Sequence, residues 1–144
     1  MSFKVESSVW IHRPVAEVYA FVTDWEKYPM WEANVLEARQ LSEGKAGVGV
    51  TCRQVSRFMG RLLETEGVIT DCEPNLKYGF KATKAPYPWS ACQVFREENG
   101  GTQITYTFES ELSGLFRFMQ PLIEYMARRS LAANYTRLKQ ILEA

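Results

Sequence analysis

The chain has 144 residues, and its 17 lysines and arginines balance its 17 aspartates and glutamates. A formal net charge of zero is not typical of a nucleic-acid-binding protein, and a hydrophobic fraction of 46% is too high for a disordered chain. We expect one domain over residues 1–144, long enough to fold without metal or disulfide support. With no apolar run of about 18 residues and no secretory leader, the expected location is cytoplasmic.

Signatures of catalysis or metal binding are sparse. Cys52, Cys72 and Cys92 are widely spaced, which predicts reduced, buried thiols rather than disulfides or a metal site. His12 is the only histidine, and it falls in a predicted strand without the partners of a catalytic triad. The sequence therefore predicts no metal and no cofactor.

The N-terminal part predicts a strand followed by two short helices. Apolar residues alternate from Phe3 to Ile11, the pattern of a strand with one buried face. Pro14 suits the first turn of a helix that continues to Val22 at helical spacing. Asp24 can cap a second short helix over residues 25–28.

The remainder predicts six strands and one long helix. An apolar stripe at helical spacing follows Gly114 and predicts a helix over residues 115–143, kinked or restarted at Pro121. Short connections join antiparallel strands, and a sheet with one apolar face needs a cover. We therefore predict an α+β fold, a curved seven-stranded antiparallel sheet wrapped around the C-terminal helix. The six strands are predicted at 35–41, 48–58, 61–72, 76–83, 89–97 and 102–110.

Several stretches resemble a known superfamily. They are VWIHRPVAEVYAFVTD at residues 9–24, YPMW at 28–31, the Glu73-Pro74 turn, and Gly100-Gly101-Thr102. The chain resembles the START-like (SRPBCC) superfamily over essentially its whole length, and within it the polyketide cyclase/dehydrase and lipid-transport branch. This resemblance implies a helix-grip fold with a deep hydrophobic cavity between sheet and helix. Members bind lipids, sterols, polyketides or quinones, and a minority catalyse cyclisation or related reactions.

The first long hairpin is predicted to turn at Met59-Gly60. That register places Arg53 opposite Glu66 and Val55 opposite Glu64. Opposite charges on one face favour a solvated ladder of ion pairs over an acid–base carboxylate pair.

The last hairpin, turning at Asn99-Gly100, pairs Gln93 with Tyr106 on an otherwise apolar face. An unpaired buried polar group costs roughly 1–3 kcal/mol, so polar interruptions favour a ligand cavity over a filled core. The alternative is that these groups bond one another or buried water. The predicted ligand-binding residues are Gln54, Phe58, Tyr78, Phe80, Trp89, Gln93, Tyr106, Phe108, Met119, Ile123 and Met126.

The connecting loops differ between the two ends of the predicted sheet. One end is polar, whereas the other gathers apolar tips, which mark ligand, membrane or protein contacts. We predict that this apolar end is the cavity mouth; a hydrophobic plug or a subunit contact is the alternative. Its predicted residues are Phe58, Met59, Tyr87, Trp89, Leu115 and Phe116.

The sequence is compatible with three functions. The first is binding of a small hydrophobic molecule whose polar end is oriented by Tyr106, Gln93 and Gln54. The second is a polyketide cyclase or dehydratase that uses a cavity tyrosine, with Tyr106 as the candidate catalytic residue. It ranks second because the predicted inner face has no carboxylate or histidine. The third is a protein-interaction module whose apolar loop end forms a homodimer or a transient membrane contact.

Overall fold

One curled antiparallel sheet and one long helix form most of the fold. The computed structural model describes residues 2–58 and 60–144, so Met59, predicted for the cavity mouth, lies outside the described residues. The helices are α1 (Val15–Val22), α2 (Tyr28–Trp31), α3 (Leu115–Phe118) and α4 (Gln120–Glu143), with a 3-10 turn at Trp25–Lys27. The strands are β1 (Ser2–Ile11), β2 (Val35–Gln40), β3 (Thr51–Phe58), β4 (Arg61–Glu73), β5 (Lys77–Lys84), β6 (Trp89–Glu98) and β7 (Gly101–Glu111).

The strand order in the sheet is β1-β7-β6-β5-β4-β3-β2. Strands β2 to β7 form a meander, and β1 joins its far edge by pairing with β7. A side chain at Gly101 would collide with the Ile11 carbonyl oxygen and the Trp10 ring, so glycine permits this close pairing. Both predicted hairpin registers are confirmed: Arg53 lies opposite Glu66, and Gln93 lies opposite Tyr106.

Most predicted boundaries agree with the structure to within one or two residues, and the exceptions have local causes. Strand β3 begins at Thr51 rather than at residue 48, because the chain turns at Gly49, whose φ is +90°. The second short helix is a 3-10 turn continued by α2, and the Asp24 side chain caps it by accepting a hydrogen bond from the Glu26 N–H.

The predicted restart of the C-terminal helix is confirmed. Helix α3 ends at Phe118, and α4 begins at Gln120 with Pro121 in its first turn. Proline is tolerated there because the first N–H groups of a helix have no partner within it.

The core consists of two groups of buried side chains that meet at Tyr106. The larger group includes α1, α2, the inner face of the sheet and the C-terminal half of α4, with Trp31, Phe95 and Tyr135 fully buried. The smaller group surrounds Ile123 at the start of α4. No helix among the described residues is long and apolar enough to cross a membrane.

The end of α4 is fastened to β1 by polar contacts. The Lys139 ammonium donates to the Trp10 carbonyl oxygen at 2.6 Å and pairs with Glu143 at 2.8 Å. Glu143 in turn accepts a hydrogen bond from the backbone N–H of His12. The three cysteines are free, but only Cys52 is fully buried, so the prediction of buried thiols was wrong for the half-buried Cys72 and Cys92.

Candidate functional site

A cavity of about 210 Å³ lies between the inner face of the sheet and α4. Strands β2 to β7 contribute its floor, and the 3-10 turn, α2, the segment that follows α2, and α4 contribute its other walls. Trp89 forms part of an aromatic wall, with ring centroids 5.4 Å from Phe80 and 5.5 Å from Phe108. Such mostly apolar walls with a few polar groups are typical of small-molecule sites.

Ten of the eleven predicted ligand-binding residues line this cavity. Met119 does not, because it lies at the junction of α3 and α4 and packs against the smaller core group. The ten that line it are Gln54, Phe58, Tyr78, Phe80, Trp89, Gln93, Tyr106, Phe108, Ile123 and Met126.

The predicted mouth residues divide into two sets. Phe58, Tyr87 and Trp89 line the cavity. Phe116 does not, but its ring lies 5.5 Å from that of Tyr87. Leu115 is not part of the lining either, since it lies on the short helix α3 and is 75% exposed.

Some polar groups of the cavity are paired with one another. The Tyr135 hydroxyl donates to Oε1 of Gln93 at 2.7 Å, and Nε1 of Trp25 donates to the Tyr78 hydroxyl at 2.8 Å. These atoms therefore form hydrogen bonds within the protein, which was the predicted alternative to binding a ligand. Within residues 2–58 and 60–144, the Tyr106 hydroxyl and the Gln54 amide have no hydrogen-bond partner, so both remain available to a ligand.

The predicted ligand-binding residues omit the one acidic residue that lines the cavity within the described part of the chain, Glu32. It follows α2 directly, is partly buried, and contributes a carboxyl group to the lining. Burial raises the pKa of this carboxyl from 4.5 to about 7. Glu32 is the residue after the last turn of α2 and has an extended backbone (φ −97°, ψ +105°), so helical spacing in the sequence does not reveal it.

Three hydrogen bonds hold the backbone around Glu32. Its N–H donates to the Tyr28 carbonyl at 2.8 Å, and its carbonyl accepts from the Val35 N–H at 3.1 Å. The next residue, Ala33, donates its N–H to Oδ1 of Asn134 on α4, also at 3.1 Å. This short segment is therefore attached both to α2 and to the long helix.

Glu32 and Tyr106 are electrostatically coupled. Burial raises the pKa of Tyr106 strongly, and the nearby Glu32 carboxylate raises it further. Tyr106 is therefore a neutral phenol at pH 7, whereas Glu32 changes its protonation state near that pH. A carboxyl group that titrates near neutrality inside a cavity can bind a ligand's polar end or exchange a proton with it.

The carboxylates of the first hairpin lie elsewhere. Glu64 is 70% exposed and pairs with Arg53 at 2.6 Å, while Glu66 lies 4.0 Å from Lys84. These contacts confirm the ladder of ion pairs, although Arg53 pairs with the diagonal Glu64 rather than with Glu66 opposite. Over the described ranges, no three His, Cys, Asp or Glu residues are grouped so as to hold a metal ion.

A curled sheet around a long helix, with an apolar cavity between them, defines a START-like protein with a helix-grip, ligand-binding fold. The sequence profile described as "Polyketide cyclase / dehydrase and lipid transport" matches residues 2–143, and the chain belongs to this family. No curated protein sequence matches the chain.

Solved structures share the fold at low sequence identity. TTHA0849 from Thermus thermophilus is 18% identical, with a TM-score of 0.82 and coverage of 95% of this chain and 94% of that one. A START superfamily protein from Mycobacterium smegmatis is 14% identical, with a TM-score of 0.81 and 97% coverage of both chains. The Zhui aromatase/cyclase from Streptomyces sp. R1128 is 16% identical, with a TM-score of 0.84 and coverage of 99% and 94%.

Proposed function

We propose that the protein binds one small, largely apolar molecule of lipid, polyketide, quinone or isoprenoid type between the sheet and α4. The observation that carries this proposal is the cavity of about 210 Å³, whose aromatic walls surround the Tyr106 hydroxyl and the Gln54 amide, two polar groups without partners among the described residues. In a filled core, such groups would each cost roughly 1–3 kcal/mol. The polar end of a bound molecule would satisfy Tyr106 and Gln54, and its apolar body would contact Phe80, Trp89 and Phe108. Membership of a family that includes lipid-transport proteins supports the same function.

Blocking the cavity tests this proposal. Ala127 lines it from α4, whereas Ala132 is exposed on the same helix. With 2-naphthylmethanol as a neutral fluorescent probe, we expect Ala127→Trp to weaken binding at least about tenfold, and Ala132→Trp to leave it unchanged. Ala91→Leu on β6 reduces the cavity from the opposite wall. Weaker binding in this variant as well would show that the Ala127→Trp result does not come from misfolding. Failure of the unmodified protein to bind the probe, together with native mass spectra that show no co-purified molecule, would refute the function.

A second candidate is a cyclase or dehydratase acting on a polyketide-like substrate. The presence of Glu32 in the cavity favours it, because it supplies the carboxyl that the sheet residues alone do not offer. In this function Glu32 would transfer a proton and Tyr106 would donate a hydrogen bond to a substrate oxygen. Loss of turnover of a poly-β-ketone substrate in both Glu32→Gln and Tyr106→Phe, with binding retained, would support it over simple binding.

Contact through the apolar loop end is a third candidate. Leu115 and Phe118 on α3 are 75% and 86% exposed, beside the Phe116 side chain that contacts Tyr87. Exposed apolar side chains so grouped favour a homodimer or a transient membrane contact. A concentration-dependent mass in sedimentation, or vesicle binding, that is lost in Phe118→Ser would support it.

A cytoplasmic location belongs to the proposal as well, since free cysteines suit a reducing compartment.

A further inference from the structure

Glu32 is the only acidic side chain that lines the cavity among the described residues. The only other charged residue of the lining is Arg57, which is exposed and contacts this region through its backbone N–H, a donor to the Asn34 carbonyl at 2.8 Å. Arg57 forms no ion pair with Glu32 within 4 Å. Among the described residues, the Glu32 carboxyl group thus has no ion-pair partner.

No described residue donates a hydrogen bond to the Glu32 carboxyl oxygens. The hydroxyls within its electrostatic reach are those of Tyr28 on the preceding helix α2, Tyr106 on β7 and Tyr135 on α4. Of these, Tyr135 already donates its proton to Gln93. The 3-10 turn and β2, which pack against α2, contribute only Trp25 and Val35 to the lining and therefore no charge.

The backbone that carries the carboxyl group is held in place. The hydrogen bonds from Glu32 to Tyr28, from Val35 to Glu32 and from Ala33 to Asn134 hold the backbone on both sides of it. Glu32 therefore lines the cavity from a backbone segment that is held at both ends. A bound molecule must satisfy the carboxyl oxygens or leave them unpaired.

We propose that Glu32 determines ligand specificity: the cavity accepts an apolar molecule that ends in an amine or a hydroxyl and rejects one that ends in a carboxylate. This inference rests on the proposed function and names the ligand class of the same cavity. An ammonium or hydroxyl donates to the carboxyl oxygens and removes the cost of leaving them unpaired. A carboxylate at the same place brings two like charges together in a water-poor site, which disfavours binding. Free fatty acids are excluded on this basis, whereas long-chain alcohols and amines are admitted.

Three probes with the same ring system test this specificity: 2-naphthylmethylamine, 2-naphthylmethanol and 2-naphthoate. At pH 8, where most Glu32 is ionised, we expect the amine to bind most tightly and the acid at least about tenfold more weakly, with the alcohol between them. At pH 5.5 the preference of the amine over the alcohol decreases, because Glu32 is protonated while the amine keeps its charge.

Two variants separate a local from a general charge effect. Glu32→Gln is expected to bind the amine and the acid within about threefold of each other while retaining the alcohol. Glu26→Gln removes the same charge from the exposed side of the adjacent 3-10 turn. We expect this variant to bind the three probes in the same order of affinity as the unmodified protein.

The outcomes distinguish this inference from the function on which it rests. Tight binding of naphthoate by the unmodified protein, or an unchanged order of probe affinities in Glu32→Gln, would overturn the proposed role of Glu32 in specificity while leaving the binding function intact. Binding of none of the three probes would count against the binding function itself.

Discussion

Tyr135 on α4 donates a hydrogen bond of 2.7 Å to Oε1 of Gln93 on β6, a residue 42 positions away in the sequence. Both side chains are buried, with 2% and 5% of their surface exposed. The bond connects the long helix to the middle of the sheet, beside the cavity that both elements enclose. It also occupies Oε1 of Gln93, one of the three residues predicted to orient a ligand. In the part of the chain that the structure describes, the side chains of the other two, Tyr106 and Gln54, have no hydrogen-bond partner.

Removing the Tyr135 hydroxyl leaves the Gln93 oxygen buried without a donor. We expect Tyr135→Phe to lower the free energy of unfolding by about 1–3 kcal/mol. Tyr125→Phe is the matched control, because Tyr125 lies on the same helix but is 56% exposed. Urea unfolding followed by far-UV circular dichroism measures both. Equal losses of unfolding free energy in the two variants would show that the buried hydrogen bond contributes no more to stability than the exposed Tyr125 hydroxyl does.

The raised pKa of Glu32 makes stability depend on pH. Because the native state binds this proton more tightly than the unfolded chain, native stability falls as pH rises from about 4.5 towards about 7 and then levels off. Glu32→Gln removes the destabilisation that ionisation of this carboxyl causes in the native state. We expect the variant to be more stable than the unmodified protein by roughly 2 kcal/mol at pH 8, allowing for partial solvent access to the carboxyl, and equal to it near pH 4.5.

Unfolding midpoints at the two pH values measure this difference, and Glu26→Gln serves as the exposed control. A stability difference for Glu32→Gln that is the same at both pH values would contradict the assignment of a buried, titrating carboxyl.

Asn134 is expected to hold the segment that presents Glu32. Its Oδ1 accepts the Ala33 N–H at 3.1 Å, and the side chain is 8% exposed. We expect Asn134→Ala to cost about 1–2 kcal/mol and to increase hydrogen exchange at the Ala33 amide. Thr136→Ala, an exposed change on the same helix, is the control. Unchanged exchange at Ala33 in Asn134→Ala would show that α2 alone orders the segment.

The three thiols should differ in reactivity. Cys52 is 1% exposed, and burial raises its pKa to about 12, so little thiolate forms at pH 8. We expect native protein treated with a thiol reagent at pH 8 to be labelled at Cys72 and Cys92 well before Cys52. Peptide mass spectrometry at timed intervals locates the label, and labelling in denaturant shows that all three sites can react. Labelling of native Cys52 as fast as Cys92 would mean that this part of the sheet opens readily.

Local patterns were sufficient to predict the architecture. Alternation with period two defined the strands, glycine and proline marked the turns, and turn position set the registers that pair Arg53 with Glu66 and Gln93 with Tyr106. Because side chains alternate strictly across a strand, each register also determined which residues face inward. For this reason most of the predicted ligand-binding residues on the sheet and α4 line the cavity.

Tertiary packing decided the features that no local pattern encodes. A glutamate just after a short helix is expected at the surface, and only the position of α2 between β2 and α4 places the Glu32 carboxyl at the cavity. Likewise, the bond from Tyr135 to Gln93 depends on where α4 crosses the sheet. The sequence by itself determined the elements, their pairing and the inward-facing residues, because periodicity and turn chemistry act over a few residues. Which polar groups are paired and which remain free for a ligand was decided only when distant elements packed together, since hydrogen bonding and burial depend on distances in space.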